Sequence, residues 1–468
     1  NLRPRAVLPY PGIAGSGVNL DPPAWRRAMA NWEPMEAQPS GAARSNPPGS
    51  CQRRSCSGGF AHGLLGAALT VTGTLALAAA CAQDAAAPPS DFAITFDTIG
   101  GTVHVTNTGT PPPARLVPVV SIGPETLTDT GSPDEFGGVN SVALGPDGEV
   151  YVADARNFEV RVFGLDGAHR RTFGRRGEGP GEFETLSSLA WAGDRLLTYD
   201  IMLGRVGAWS AEGEWLGQQR TRGSMTGGGG AIRLYAVGPD ELYRYATGSA
   251  VETRFGSALR SLYVGLNSRG ETGDTLVQLE APSDAPAPYI ICQTEEGILR
   301  FFTIPFAPGL TQHPGPGDVI YSAFERDYRI AVTRNGGADT VRVIQRPLPA
   351  EPIGDDEWEE GNRDFNEWRS ENRSASCDPS GPTRPAAKPI LGGLHIAPDG
   401  KLWVKVMRAA GDLWEVFDAD GRLLASVPRP PHKRGVAPAF SAADHLLTIR
   451  RDSLDLDHVD VWLLERGS

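Results

Sequence analysis

Residues 142–167 read VALGPDGEVYVADARNFEVRVFGLDG, and residues 394–421 read LHIAPDGKLWVKVMRAAGDLWEVFDADG. Both follow one template. An apolar strand runs into a Pro-Asp-Gly turn, and a strand of the pattern V/L-aromatic-V follows. A third strand ends in Val-Phe before a second turn, Leu165-Asp166-Gly167 or Ala419-Asp420-Gly421. Asp147 and Asp399 are expected to cap the strand–strand turns, since an Asp side chain accepts backbone N–H groups two residues on. Self-similarity at this scale predicts a repeat architecture in which each unit covers its neighbour. Short strands separated by turn residues make that architecture all-β, and specifically a β-propeller.

Outward from these two units the template recurs with less fidelity. Residues 188–217 align with the first unit after a one-residue deletion at the turn, placing Asp200 on Asp154, Trp209 on Phe163 and Gly213 on Gly167. The two aspartates are 46 residues apart, close to the roughly 40–45 of a four-stranded blade. A third, fainter unit starts at residues 232–248. A fourth runs from Tyr289 through EEGILRFFTI to DYRIAVT and DTVRVIQR, a fifth covers 389–428, and a sixth follows from about Gly435. The sixth lacks a strand, and ARLVPVVSIG (114–123) has no blade of its own. The expectation is a six-bladed propeller of four-stranded blades, closed by that N-terminal strand so that no sheet edge is left exposed. Seven blades are the less favoured count. One short helical insertion, about 354–374, interrupts the pattern. Asp355 and Asp356 are placed to cap it, and Trp358, Phe365 and Trp368 share one face. It reads either as a helix on the propeller flank or as a lid or docking element.

The 468 residues carry a formal net charge of −12, with 57 Gly and 39 Pro gathered between short apolar runs. Residues 1–81 hold seven arginines against three acids. The leader is therefore basic and the body more acidic than the total, which argues against a nucleic-acid partner. Residues 1–52 read as a disordered or untranslated leader, with Met29 or Met35 as candidate starts. In residues 53–81, Arg53 and Arg54 precede an apolar run from Phe60 to Ala80 and the small residues before Cys81, the pattern of an export signal. Cys81 is expected to be the lipidated first residue of the mature chain, although Ala78 stands where such a signal usually has Leu. Ordinary cleavage nearby and an uncleaved anchor remain open. Residues 82–94 read as a tether and 95–468 as the propeller. Export permits Cys292 and Cys377 to pair, or leaves Cys292 buried and free in its strand.

Val152-Ala153-Asp154, Asn157, then Val160 to Gly167, followed by the connector GRRGEGPGEF at 174–183, resemble the NHL repeat. They resemble more closely the exported six-bladed propeller lipoproteins of bacteria. The resemblance implies a fold and a place in the cell envelope rather than an activity. The repeat's usual Arg two residues after the Asn is here Glu159. The second unit restores it as Arg205 but has Leu203 for the Asn, so these residues read as polar contacts between blades.

Asp154 and Asp200 end the second strands of their blades. They read as turn caps, or alternatively as paired carboxylates facing a ligand or cation. The connector lacks the strand–loop–helix context of a phosphate cradle. Of the histidines after Cys81, His395 is the candidate channel residue, because it lies in the innermost strand Leu394-His395-Ile396. Asn140 and Ser141 are placed to line the same channel. No Ser-His-Asp or Cys-His pattern supports catalysis. The leading expectation is a monomeric, lipid-anchored or periplasmic binding scaffold for a protein, peptide or glycan. The alternative is a lyase or hydrolase holding Zn²⁺ or Ca²⁺ over the channel, which needs three convergent ligands.

Overall fold

The Pro-Asp-Gly turns reverse the chain through their own side chains. Asp147 Oδ1 accepts the N–H of Glu149 at 3.0 Å, and Asp399 Oδ1 that of Lys401 at 3.2 Å. Gly148 and Gly400 take φ values of +77° and +79°, a region any Cβ disfavours. The computed structural model describes residues 91–124, 131–221, 233–238, 241–253, 256–281 and 285–467. The expected leader and export segment, Cys81 and most of the expected tether lie outside the described residues.

Six sheets repeat one antiparallel meander, forming a six-bladed β-propeller. The first strands, innermost in each blade, are Val139–Leu144, Leu186–Ala192, Leu234–Ala236, Leu310–Gly315, Leu391–Ile396 and Ala439–Phe440. We number the blades 1 to 6 in that order. In blade 1 the second strand, Val150–Asp154, is buried at every residue, whereas the fourth, His169–Phe173, is largely exposed. Middle strands covered on both faces read as unbroken apolar runs, and this is why the template's V-aromatic-V motif does not alternate. The motif's aromatic residue packs between blades: Tyr151 and its counterparts Tyr243, Tyr321 and Trp403 are all buried. Apolar clusters join blade 1 to 2, 2 to 3, 3 through 4 to 5, 5 to 6, and 6 back to 1. Blade 6 draws its fourth strand from the N-terminal side, with Ala114–Ile122 antiparallel to Asp457–Arg466.

Three features depart from expectation. Ala93–Ile99, which begins inside the expected tether, forms a hairpin with Thr102–Thr108. The hairpin extends blade 4 by parallel pairing with Asp339–Gln345. Buried Asn107 fastens it to blade 5, donating to the Gly421 carbonyl and accepting from Leu423 N–H. The fourth unit is narrower than expected: the blade 4 meander is Leu310–Gln345, with the N-terminal hairpin added at its edge. Tyr289–Gln293 and Leu299–Thr303 instead join Ser376–Asp378 in a three-stranded sheet outside the ring. There Cys292 lies opposite Cys377, and the two form a disulfide.

The insertion is two helices, Asp355–Gly361 and Arg363–Glu371. The N-cap is Gly354, whose N–H is bonded by the Glu357 side chain, so Asp355 and Asp356 sit in the first turn rather than at the cap. The face carrying Trp358, Phe365 and Trp368 packs on Ile290, Phe302 and the disulfide of the small sheet. The helices thus cover that sheet, not the propeller flank.

Candidate functional site

Cross-strand partners define equivalent positions on the six inner strands. Ala143 faces Tyr151, Ala190 faces Leu197, Tyr235 faces Tyr243, His313 faces Tyr321, His395 faces Trp403 and Ala439 faces Leu447. Three of these positions carry rings and three carry Ala. All six line a cavity of about 990 Å³. It lies at the end of the channel where first and second strands are joined, so Gly145, Pro146, Gly193, Gly238 and Pro398 rim it. The void follows from the asymmetry: rings fill the side of blades 3 to 5, and methyl groups leave the opposite side open.

The rings form a continuous wall. Tyr235 meets His313 edge-on at 4.9 Å between centroids, His313 lies 6.0 Å from His395, and His395 lies 5.2 Å from Phe440. His313 Nδ1 is 2.7 Å from the Pro314 carbonyl, which can only accept, so Nδ1 carries the proton. Burial pushes His313 down to about 3, with the Arg233 charge adding and the Pro314 bond opposing. His395 is held well below the usual imidazole value, first by burial and then by Arg233. His432 is pushed down to about 4, chiefly by burial. It accepts Ile449 N–H and donates to the Val436 carbonyl, fixing the segment that forms the blade 6 wall. All three rings are neutral at physiological pH.

Asn140, Ser141 and His395 lie in the cavity lining. Ser141 Oγ is engaged, accepting the N–H of Leu189 on the next inner strand at 3.0 Å. Ser188, its counterpart in blade 2, accepts the N–H of Leu234 at 3.0 Å. The same position in blade 3 is Arg233.

Asp154 and Asp200 lie away from the cavity and act within their blades. Buried Asp154 accepts the N–H groups of Gly137 and Gly138 and the Asn157 amide. Buried Asp200 accepts those of Glu184, Thr185 and Leu203. Neither carboxylate is free to face a ligand, because its oxygens are committed to part-buried donors of its own blade. Arg205 clamps the connector through the Glu178, Gly179 and Glu182 carbonyls. In blade 1 the same task falls to Arg161, two residues further along and so on the same face, which holds the Pro133 and Glu135 carbonyls. The connector bonds to itself: Gly177 N–H to the Phe183 carbonyl, Phe183 N–H to that of Arg175, and Gly179 N–H to the Glu182 carboxylate. These donors are spent, and Phe183 is buried between blades 1 and 2.

His313, Arg233 and Tyr235 were missed in the sequence. The detectable signal for His313 was PGPGDVIY (314–321), the template's turn with Gly317-Asp318 in reversed order. A Zn²⁺ or Ca²⁺ site does not fit this lining. His313 and His395 approach each other, but no group of three His, Cys, Asp or Glu among the described residues could hold a metal ion.

Residues 136–163 match the NHL repeat. The matched span covers the first three strands of blade 1 and includes Asp154 and Asn157. No curated protein matches the sequence. Among solved structures, a member of the DUF4221 family from Bacteroides vulgatus aligns over 76% of this chain and 100% of its own, at 8% identity and a TM-score of 0.41. Virginiamycin B lyase from Staphylococcus aureus aligns over 71% and 96%, at 10% identity and a TM-score of 0.32. BamB from Moraxella catarrhalis aligns over 74% and 99%, at 13% identity and a TM-score of 0.31.

Two expected outcomes follow from the geometry. Asp200→Ala removes the acceptor of three part-buried N–H donors and should cost roughly 1–3 kcal/mol, read as a lower urea midpoint with ligand binding by the folded protein unchanged. A loss below about 0.5 kcal/mol would show that water replaces the carboxylate. The second concerns acid. The folded protein excludes protons from His313, His395 and His432, while the unfolded chain binds them below about pH 6.5. Stability is therefore full above about pH 6.5 and falls as pH drops towards 4, by about 1.4 kcal/mol per pH unit for each ring. Urea midpoints between pH 7.5 and 4.5 should fall less steeply in His313→Gln than in the parent. An identical slope would mean that His313 titrates normally.

Proposed function

We propose that this chain is an exported cell-envelope propeller that binds a segment of a protein, a peptide or a glycan in the channel cavity. The cavity carries this reading: inner strands of all six blades line about 990 Å³ of mixed polar and apolar surface at one channel mouth. A space of this size, with apolar walls and a few directed polar groups, is the usual form of a small-ligand or chain-segment site. The segment 53–81 supports export. No helix among the described residues is long and apolar enough to cross a membrane, and in this reading attachment comes from a lipid on Cys81. The alternative, a metal-dependent lyase or hydrolase over the same channel, would need a third ligand beside the His313–His395 pair, and the described residues place none there.

Asn140 is exposed and lies in the cavity lining, so Asn140→Trp narrows the cavity without overfilling the core. Oligosaccharides and short peptides that bind the full-length protein should lose at least about tenfold in affinity in this variant, with thermal stability unchanged. Unaltered affinities would remove the cavity as the site. For the anchor, Cys81→Ser should move the protein from the membrane fraction to the soluble fraction. Unchanged fractionation contradicts lipidation at this residue.

A further inference from the structure

The inner strands of blades 1 and 2 each offer a serine hydroxyl to the next blade's backbone: Ser141 to Leu189 and Ser188 to Leu234. Blade 3 breaks this pattern. Its equivalent residue, two before Tyr235 and so on the same face of the strand, is Arg233. A guanidinium has no acceptor and cannot replace the hydroxyl in that bond. It lies instead with its Cζ 4.7 Å from the Tyr235 ring centroid, in the cavity lining. Among the described residues no carboxylate pairs with it, and its buried Nε has no hydrogen-bond partner. The carboxylate in the lining, Asp399, is already held by Lys401 at 2.6 Å. A cation stacked on a ring and left without a counter-ion in a partly enclosed space is an incomplete ion pair. Contact with the Tyr235 ring restrains the guanidinium, whose N–H fork suits a planar, bidentate partner.

We propose that Arg233 is the anchor for a carboxylate, and that the cavity selects monocarboxylates carrying an aromatic or apolar body. The inference rests on the cavity being the binding site. The body would lie over Ala143, Ala190 and Ala439, where the missing side chains leave room, with Trp191 and Phe440 lining the same space. One cation calls for one negative charge. His313 and His395 are neutral, so the wall adds hydrogen-bonding groups and no second charge, which disfavours a phosphate dianion. Two sources share this chemistry, a peptide C-terminus and a free organic acid.

The test measures Kd by calorimetry with the full-length protein and two probe pairs. N-acetyl-Ala-Ala-Phe is compared with its C-terminal amide, and indole-3-acetate with indole-3-acetamide. In at least one pair the acid should bind at least about tenfold more tightly than the amide, and the pair that shows it identifies the source. Arg233→Met should abolish the preference and Arg233→Lys should retain part of it. The lysine variant keeps the charge and reports if the methionine variant unfolds. Equal affinity of acid and amide in both pairs, with binding still lost in Asn140→Trp, overturns the carboxylate anchor and leaves the cavity reading intact. An acid preference that survives Arg233→Met overturns the role of Arg233. If neither pair shows binding sensitive to Asn140→Trp, both readings fall.

Discussion

The innermost strand of each blade is a sheet edge, and the structure depends on how its free N–H groups are satisfied. Between blades the described residues form no backbone ladder, so an inner strand is held at a fixed height by apolar packing and by single bonds reaching from the neighbouring blade, such as the Glu325 carbonyl of blade 4 accepting the Leu391 N–H of blade 5 at 3.1 Å. Ser141 and Ser188 provide two of these. At the junction of blades 6 and 1, buried Asp457 accepts the N–H of Val139 at 2.9 Å and is itself held by Lys433 at 2.7 Å. Unpaired edge donors cost free energy and invite foreign strands. Satisfying them from the next blade solves both problems and sets the geometry of the channel wall.

The cavity follows from that wall. Equivalent positions are held at one level, so side-chain size at those positions decides whether the mouth is filled. Tyr235, His313 and His395 fill one half, and Ala143, Ala190 and Ala439 leave the other open. The same regularity makes Arg233 conspicuous, because it occupies a place where the preceding blades use a hydroxyl. The helical insertion and disulfide belong to another part of the molecule, the small sheet covered by Phe365 and Trp368.

How much of this was legible depended on how local the encoding is. The Pro-Asp-Gly turn is written in consecutive residues, so blades 1 and 5 could be read directly. His395 could be singled out because it stands where blade 1 has Ala143. Blade 4 was hidden by the reversed order of Gly317-Asp318, although Gly317 and Asp318 still take φ values of +75° and +58°. Its counterpart of His395 was lost with it. Arg233 was missed because the third unit is faint, and its meaning emerges only when the inner strands are superposed through their cross-strand partners. The small sheet pairs segments 85 residues apart at the disulfide, a distance over which no local pattern operates. Asp154 and Asp200 were recognisable as turn acceptors, since Asx chemistry acts within a few residues.

The measurement that tests the account most directly is a crystal structure of the full-length protein bound to indole-3-acetate. The account predicts the carboxylate within about 3 Å of the Arg233 guanidinium, with the indole over Ala143, Ala190 and Ala439. Density for the acid elsewhere, for example on the exposed Tyr289–Phe301 face of the small sheet, with the channel mouth unoccupied, would contradict it.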